Sequence, residues 1–253
     1  MPTTARPLPT TSPDRELFSE FPLALPRAIV RYAPLEADRG LSAEAHADWL
    51  SAREQAELAA WREPGRRRAW LAGRRLAKQL VASHLCFGDS LPSIEILSRD
   101  ALGRVNRPRV WRGGVEQSCS LSISHSARGV LVALVAGSEA TLGVDLSDTA
   151  ELSPGLVKLW FTADERALLD DSGNLDLARY IWCAKEALYK ALSQGESFDP
   201  RKVEVLSGGR CRYHNAQLNH FGLRSWTIDG QLAVLATVAT ARSPVSVTSS
   251  SCR

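Results

Sequence analysis

Between residues 176 and 193 the apolar positions Leu177, Ile181, Ala184, Leu188 and Ala191 recur at three- and four-residue steps. That period predicts a helix with one buried stripe. At about 100° per residue, Arg179, Glu186, Lys190 and Ser193 gather on the opposite side. Trp182 borders this polar strip and Lys185 lies on its flank. Gln194-Gly195 closes the helix, since glycine accepts the left-handed turn that follows a last helical residue.

The same reading applied along the chain predicts a strand over 28–32, then a helix capped by Ser42 and holding Trp49, Leu50 and Leu58. Pro64-Gly65 interrupts, and a basic helix follows over 66–85. Strands are predicted over 94–97, 121–124 and 130–136, with a turn at Ala127-Arg128-Gly129. Residues 101–117 read as a polar connection. In the second half a strand over 142–146 precedes helices over 154–160 and 163–170 and the helix of the first paragraph. Strands over 203–206 and 211–213 come next, then a hairpin, 223–228 and 231–238, turning at Asp229-Gly230. No repeat shows in the letters, but the element order repeats loosely. The expected fold is α+β: two similar α+β subdomains related by a pseudo-two-fold, each a small, mostly antiparallel sheet packed with helices. They are expected over 27–138 and 139–240. Pro2, Pro7, Pro9, Pro13, Pro22 and Pro26 mark 1–26 as an extended or disordered lead-in, and 241–253 is a Ser/Thr-rich tail expected to be disordered.

Composition narrows the function classes. A chain of 253 residues with 44% hydrophobic content can bury a substantial core. A net charge of +3 is too weak to mark a nucleic-acid binder, yet it suits an anionic ligand or an acidic protein partner. The five cysteines are scattered and form no C-x-x-C, which argues against a disulfide framework and a zinc site. No apolar run approaches the ~20 residues of a membrane span, and the N-terminus has no signal-peptide core. A cytoplasmic protein with no membrane or nucleic-acid partner is expected.

Several short words carry candidate chemistry, and each has a structural reading beside it. Glu186 and Lys190 form an i,i+4 pair, worth only about 0.2–0.5 kcal/mol on an exposed helix. Leu142-Gly143-Val144-Asp145 ends a strand with a carboxylate, often a turn residue. One Asp on a strand and one Glu on a helix would also suit Mg²⁺ on a pyrophosphate, because Mg²⁺ takes one or two carboxylates and completes its shell with water and phosphate oxygens. Thr162 and Glu165 read as a capping box. Ser124-His125 follows a strand, where a lone histidine is more often structural. Arg66, Arg67, Arg68 and Arg74 stud the basic helix, and Arg104 and Arg107 lie in the polar connection. Such groups recognise phosphate, and a basic helix also admits RNA, although the aromatic interleaving of single-strand binders is poor here.

Trp182-x-x-Lys185-Glu186-Ala187-x-x-Lys190 resembles W-x-x-K-E-[AS]-x-x-K, the signature of the 4′-phosphopantetheinyl transferases. Gly143-Val144-Asp145 and Phe161-x-x-x-Glu165 stand upstream in that family's order. Ser122-Ile123-Ser124-His125-Ser126, Gly103-Arg104 with Arg107-Pro108, and Arg66 to Arg74 resemble its earlier words. The length matches the long, monomeric Sfp-type enzymes. The resemblance implies transfer of phosphopantetheine from coenzyme A to a serine of an apo acyl or peptidyl carrier protein, releasing adenosine 3′,5′-bisphosphate. It implies that Asp145 and Glu186 hold Mg²⁺ or Mn²⁺, and that Glu186 or a water on the metal accepts the serine proton. Lys190 neutralises charge or protonates the leaving phosphate, and Lys185 contacts the pyrophosphate. Ser124, His125 and an arginine such as Arg66 or Arg104 grip the nucleotide, with coenzyme A between the halves. Ser147 stands where many long members carry a third acid, which leaves open a non-catalytic coenzyme A or carrier-protein binder. An RNA-binding module leaves the Trp182 to Lys190 word unexplained.

Overall fold

The computed structural model describes residues 27–35, 48–85, 91–100, 103–148, 152–172, 175–193 and 195–240. The expectations for 1–26, for 241–253 and for a cap at Ser42 lie outside the described residues. The fold is α+β. In the first half β1 (Ile29–Pro34) is followed by α1 (Ala52–Ala59) and α2 (Pro64–His84). Strands β2 (Ile94–Arg99), β3 (Val105–Arg112), β4 (Val115–Glu116), β5 (Cys119–His125) and β6 (Gly129–Ala136) complete it. In the second half β7 (Ala140–Ser147) is followed by α3 (Pro154–Trp160), α4 (Ala163–Ser172) and α5 (Leu175–Leu192). Strands β8 (Val203–Val205), β9 (Cys211–Tyr213), β10 (Ala216–Gln217), β11 (Phe221–Ile228) and β12 (Gln231–Ala239) end the described chain. The sheets run β1-β6-β5 and β2-β3-β4, then β11-β12-β7 and β10-β9-β8, with every pairing antiparallel. In each half the last strand pairs with the first.

Alternation along the strands builds the layers. On β6, Val130, Val132 and Leu134 pack with Leu76 and Leu80 of α2. The intervening Leu131, Ala133 and Val135 meet Leu142, Val144 and Leu146 of β7 and Ala233 and Leu235 of β12. The far face of the second sheet, Val234 and Ala236, packs on Ile181, Ala184, Ala187 and Leu188 of α5. The order is helix, sheet, sheet, helix. A strand covered on both faces reads as an unbroken apolar run, as 130–135 does.

The two large sheets are joined by side chains. β7 pairs with β12 along one edge only, and its other edge would leave N–H groups open. Ser120, Ser122 and Ser124 of β5 close it, their Oγ atoms accepting from the backbone N–H of Leu142, Val144 and Leu146 at 3.1, 3.0 and 3.3 Å. Every second residue of β5 serves one side of this seam, and Leu121 and Ile123 serve the core on the other.

One side-chain frame occurs twice. Trp49-Leu50-Ser51-Ala52-Arg53-Glu54 and Trp160-Phe161-Thr162-Ala163-Asp164-Glu165 share W-x-[ST]-A-x-E. Each Glu is the third residue of a capping box and accepts from the backbone N–H of its cap, Ser51 or Thr162, at 2.9 Å. Each pairs with a lysine of the following long helix, Glu54 with Lys78 at 2.6 Å and Glu165 with Lys185 at 2.5 Å, all four side chains fully buried. The second carboxylate oxygen accepts from a strand N–H, Ile96 at 3.0 Å or Val205 at 2.9 Å. Each lysine also donates to the carbonyl of the word's tryptophan, Trp49 or Trp160. Burial pulls both ammonium groups below the usual lysine range, against the attraction of the glutamates.

Two expectations are corrected. The helix holding Leu58 begins at Ala52 behind Ser51, and Trp49 and Leu50 precede it, because the Ser51–Glu54 box sets its start. Residues 101–117 are not a plain connection: β3 and β4 lie within them. Arginines and Pro108 hid the strand, and the register shift between Leu97 and Arg99 falls opposite Pro108, which has no N–H to offer. No helix among the described residues is long and apolar enough to cross a membrane.

Removing one partner of a fully buried ion pair leaves an uncompensated charge, which costs about 3–5 kcal/mol. Glu165→Ala is expected to lower the urea stability by that amount. Glu165→Leu with Lys185→Met should recover only part, because the N–H groups of Thr162 and Val205 stay unpartnered. Full recovery in the double variant would contradict the frame.

Candidate active site

Gly143 brings the site's elements together. A Cβ built there would lie 2.0 Å from the carbonyl oxygen of Ala187 and 2.8 Å from the N of Ala191. Only glycine lets α5 lie this close on β7. Two residues along the same face of β7 stands Asp145, opposite Glu186 and Lys190 of α5. Lys190 Nζ is 2.7 Å from Asp145 Oδ1 and 3.6 Å from Glu186 Oε2. It also donates to the carbonyl of Val144 at 3.1 Å. From across the seam Ser124 Oγ donates to Asp145 Oδ1 at 2.8 Å. The structure thus gathers Ser124, Asp145, Glu186 and Lys190 from β5, β7 and α5.

The electrostatics follow from that crowding. Burial, and then the Asp145 carboxylate, hold Glu186 above the usual glutamate range, while Lys190 pulls the other way. Burial would depress Lys190, but Asp145 and Glu186 outweigh it and raise its pKa. The Cys183 thiol, which donates to the carbonyl of Leu232, is pushed well above its ordinary value by burial and by the Asp145 carboxylate. His125 is held below its ordinary value by the surrounding protein, then by the charges of Lys190 and Arg66. That places Arg66, which lies over the Trp61 ring, in electrostatic reach of His125.

The remaining candidates stand elsewhere. Lys185 is fully buried against Glu165, 5.2 Å from the centre of the Phe161 ring. Arg104 is engaged by Asp100 in the β2–β3 turn at 2.7 Å. Arg107 donates to the carbonyl of Ala191 near the end of α5 at 3.1 Å. A polar cleft of about 510 Å³ includes Arg107, Arg109, Ser120 and Thr141. It lies at the opposite end of β5 and β7 from Ser124 and Asp145. Trp182 and Tyr189, beside Glu186 on α5, share Phe198 as a ring partner at 6.1 and 4.7 Å.

The donor set is compatible with a hard divalent cation. Two carboxylates that repel one another flank the Lys190 ammonium, and Mg²⁺ asks for one or two carboxylates with the rest of its shell from water and phosphate. Among the described residues no group of three or more His, Cys, Asp or Glu side chains is placed to hold a metal. Ser147 donates to the carbonyl of Asp148 at 3.3 Å. Sequence reasoning gave no role to Ser120 or Cys183, and it read Gly143 and Ser122 only as letters of their words. The alternation Ser-x-Ser-x-Ser was visible and could have marked the seam.

Residues 141–241 match the family model described as the 4′-phosphopantetheinyl transferase superfamily. No curated protein matches the sequence. Among solved structures, a holo-(acyl-carrier-protein) synthase from Bacillus anthracis strain Ames, in complex with CoA (3′,5′-ADP), is 21% identical, over 43% of this chain and 92% of that one, with a TM-score of 0.36. The holo-[acyl-carrier-protein] synthase of Thermotoga maritima is 16% identical, over 58% of this chain and 90% of that one, with a TM-score of 0.33.

Gly143→Ala is expected to force α5 off β7, because the clashing atoms are backbone. Overpacking of this kind costs about 1–3 kcal/mol, read as a lower urea midpoint. An unchanged midpoint would contradict the close approach.

Proposed function

We propose, for a chain whose residues 141–241 match the model of the 4′-phosphopantetheinyl transferase superfamily, that it moves phosphopantetheine from coenzyme A to a serine hydroxyl of an apo acyl or peptidyl carrier protein. Adenosine 3′,5′-bisphosphate is the second product. One observation carries this reading: Asp145 on a strand and Glu186 and Lys190 on a helix, far apart in sequence, meet beside Ser124.

Asp145 and Glu186 would hold Mg²⁺ or Mn²⁺, which when bound supplies charge neutralisation to the pyrophosphate oxygens. The other steps belong to side chains. Phosphoryl transfer asks for positioning and electrostatic stabilisation more than covalent chemistry from the protein. Glu186, whose pKa is raised, is suited to take the proton of the attacking serine. Lys190 keeps its proton beside two carboxylates and can neutralise or protonate the leaving phosphate. His125, with Arg66 in reach, would meet the nucleotide, and Ser124 would orient Asp145 toward the same ligand. Lys185 supports the site from beneath through Glu165 rather than touching the pyrophosphate. The chain would act as a monomer in the cytoplasm, since one copy carries both halves.

Ser147 favours a second reading, coenzyme A binding without turnover. Incubation with coenzyme A, Mg²⁺ and a panel of apo carriers separates the two. The transferase reading predicts a phosphopantetheine mass gain on at least one carrier, abolished by chelator. Asp145→Ala and Glu186→Gln should each lower the rate at least about a hundredfold with the fold intact. Coenzyme A binding by calorimetry with no mass gain on any carrier would favour the second reading.

A further inference from the structure

The turn that follows His125 is held from the other half of the chain. Ser126 Oγ accepts from the backbone N–H of Arg128 and Gly129, both at 3.1 Å, which shapes the β5–β6 turn from within. The same hydroxyl donates to Oε1 of Gln231, the first residue of β12. Gln231 is fully buried, and its Nε2 donates to Tyr32 Oη of β1 at 3.0 Å. Tyr32 Oη in turn donates to Asp229 Oδ2 in the β11–β12 turn at 2.9 Å. Burial, then Asp229, push the Tyr32 hydroxyl up to about 12, so it remains a donor. Asp148, just beyond β7, accepts from the N–H of Ala127 at 3.2 Å.

The packing agrees with the hydrogen bonds. A Cβ built on Gly129 would lie 2.3 Å from the Tyr32 ring, so the ring rests directly on the turn. Asp229 and Gly230 both have positive φ, 50° and 67°, which folds the β11–β12 turn tightly enough to present Gln231 to Ser126. Both ends of one buried amide are therefore spent across the two halves, next to the segment that carries Ser124 and His125. A surface turn needs no such tie for stability alone, since its open groups can bond to water.

We infer that Gln231 is a positioning residue: by locking the turn through Ser126 and Tyr32 it fixes His125 for the nucleotide end of coenzyme A. This rests on the transferase reading. The ion-binding carboxylates lie on β7 and α5, outside the locked turn, so ground-state grip on the nucleotide should suffer and the chemical step should not.

The test compares wild type with Gln231→Met, which keeps the shape and loses the hydrogen bonds, and with Tyr32→Phe, which removes one hydroxyl. Calorimetry with adenosine 3′,5′-bisphosphate, steady-state kinetics and thermal unfolding are measured on each full chain. Gln231→Met is expected to raise Kd for the bisphosphate and KM for coenzyme A about tenfold, the worth of one lost hydrogen bond to the turn. The kcat and the carrier KM should stay within about twofold. Tyr32→Phe should shift the same two constants by a smaller factor, and it decides the matter should Gln231→Met fail to fold. Ser126→Ala should raise the same two constants at least as far as Gln231→Met, because it removes the link to Gln231 together with the two bonds that shape the turn. Lower melting temperatures with nucleotide affinity unchanged would overturn the inference and leave the transferase reading standing. Wild type failing to bind coenzyme A or the bisphosphate would overturn both.

Discussion

An edge strand with open N–H groups is the constraint on which this architecture turns. β7 has a hydrogen-bonding partner on one side only, and burial makes an open edge costly. Ser120, Ser122 and Ser124 of β5 answer that need with hydroxyls. The solution sets the register of the two large sheets and places the end of β5 beside the end of β7. Ser124 thereby serves twice, accepting from Leu146 and donating to Asp145. The seam that joins the halves is also the wall of the candidate site.

Charge in this chain divides between frame and site. Arg74 and Lys78 of the basic helix are buried and paired with Glu57 and Glu54, so only part of that helix offers a solvated basic face. Lys185 belongs to the same class, although it sits next to Glu186 in sequence. A helix turns about 100° per residue, enough to send neighbouring side chains to different neighbourhoods. The half-buried Lys190, by contrast, spans two carboxylates whose own repulsion needs it.

Much of this was legible in the letters. The 3.6-residue period located α5, the apolar run located β6, and Asp229-Gly230 located the last hairpin. The G-V-D and W-x-x-K-E-A-x-x-K words located Asp145, Glu186 and Lys190. The repeated W-x-[ST]-A-x-E was also in the letters but passed unnoticed, being short and spread over helices of different length. What could not be read was partnership. Nothing in Ser-x-Ser-x-Ser says which strand its hydroxyls will face, and Pro108 with its arginines conceals β3. The close approach at Gly143 depends on α5, which arrives more than thirty residues later in the chain. Gln231 gives no local sign of its tie to Ser126, because that contact spans 105 residues.

The proposed function requires a single divalent-cation position between Asp145 and Glu186, with the nucleotide of coenzyme A held at Ser124 and His125. Crystals grown with coenzyme A and Mn²⁺ test it most directly, through the anomalous scattering of the ion. A peak is expected within coordination distance of both carboxylates and of the pyrophosphate, with the adenosine end beside His125. A nucleotide bound away from the seam, or a manganese peak touching neither carboxylate, would contradict it.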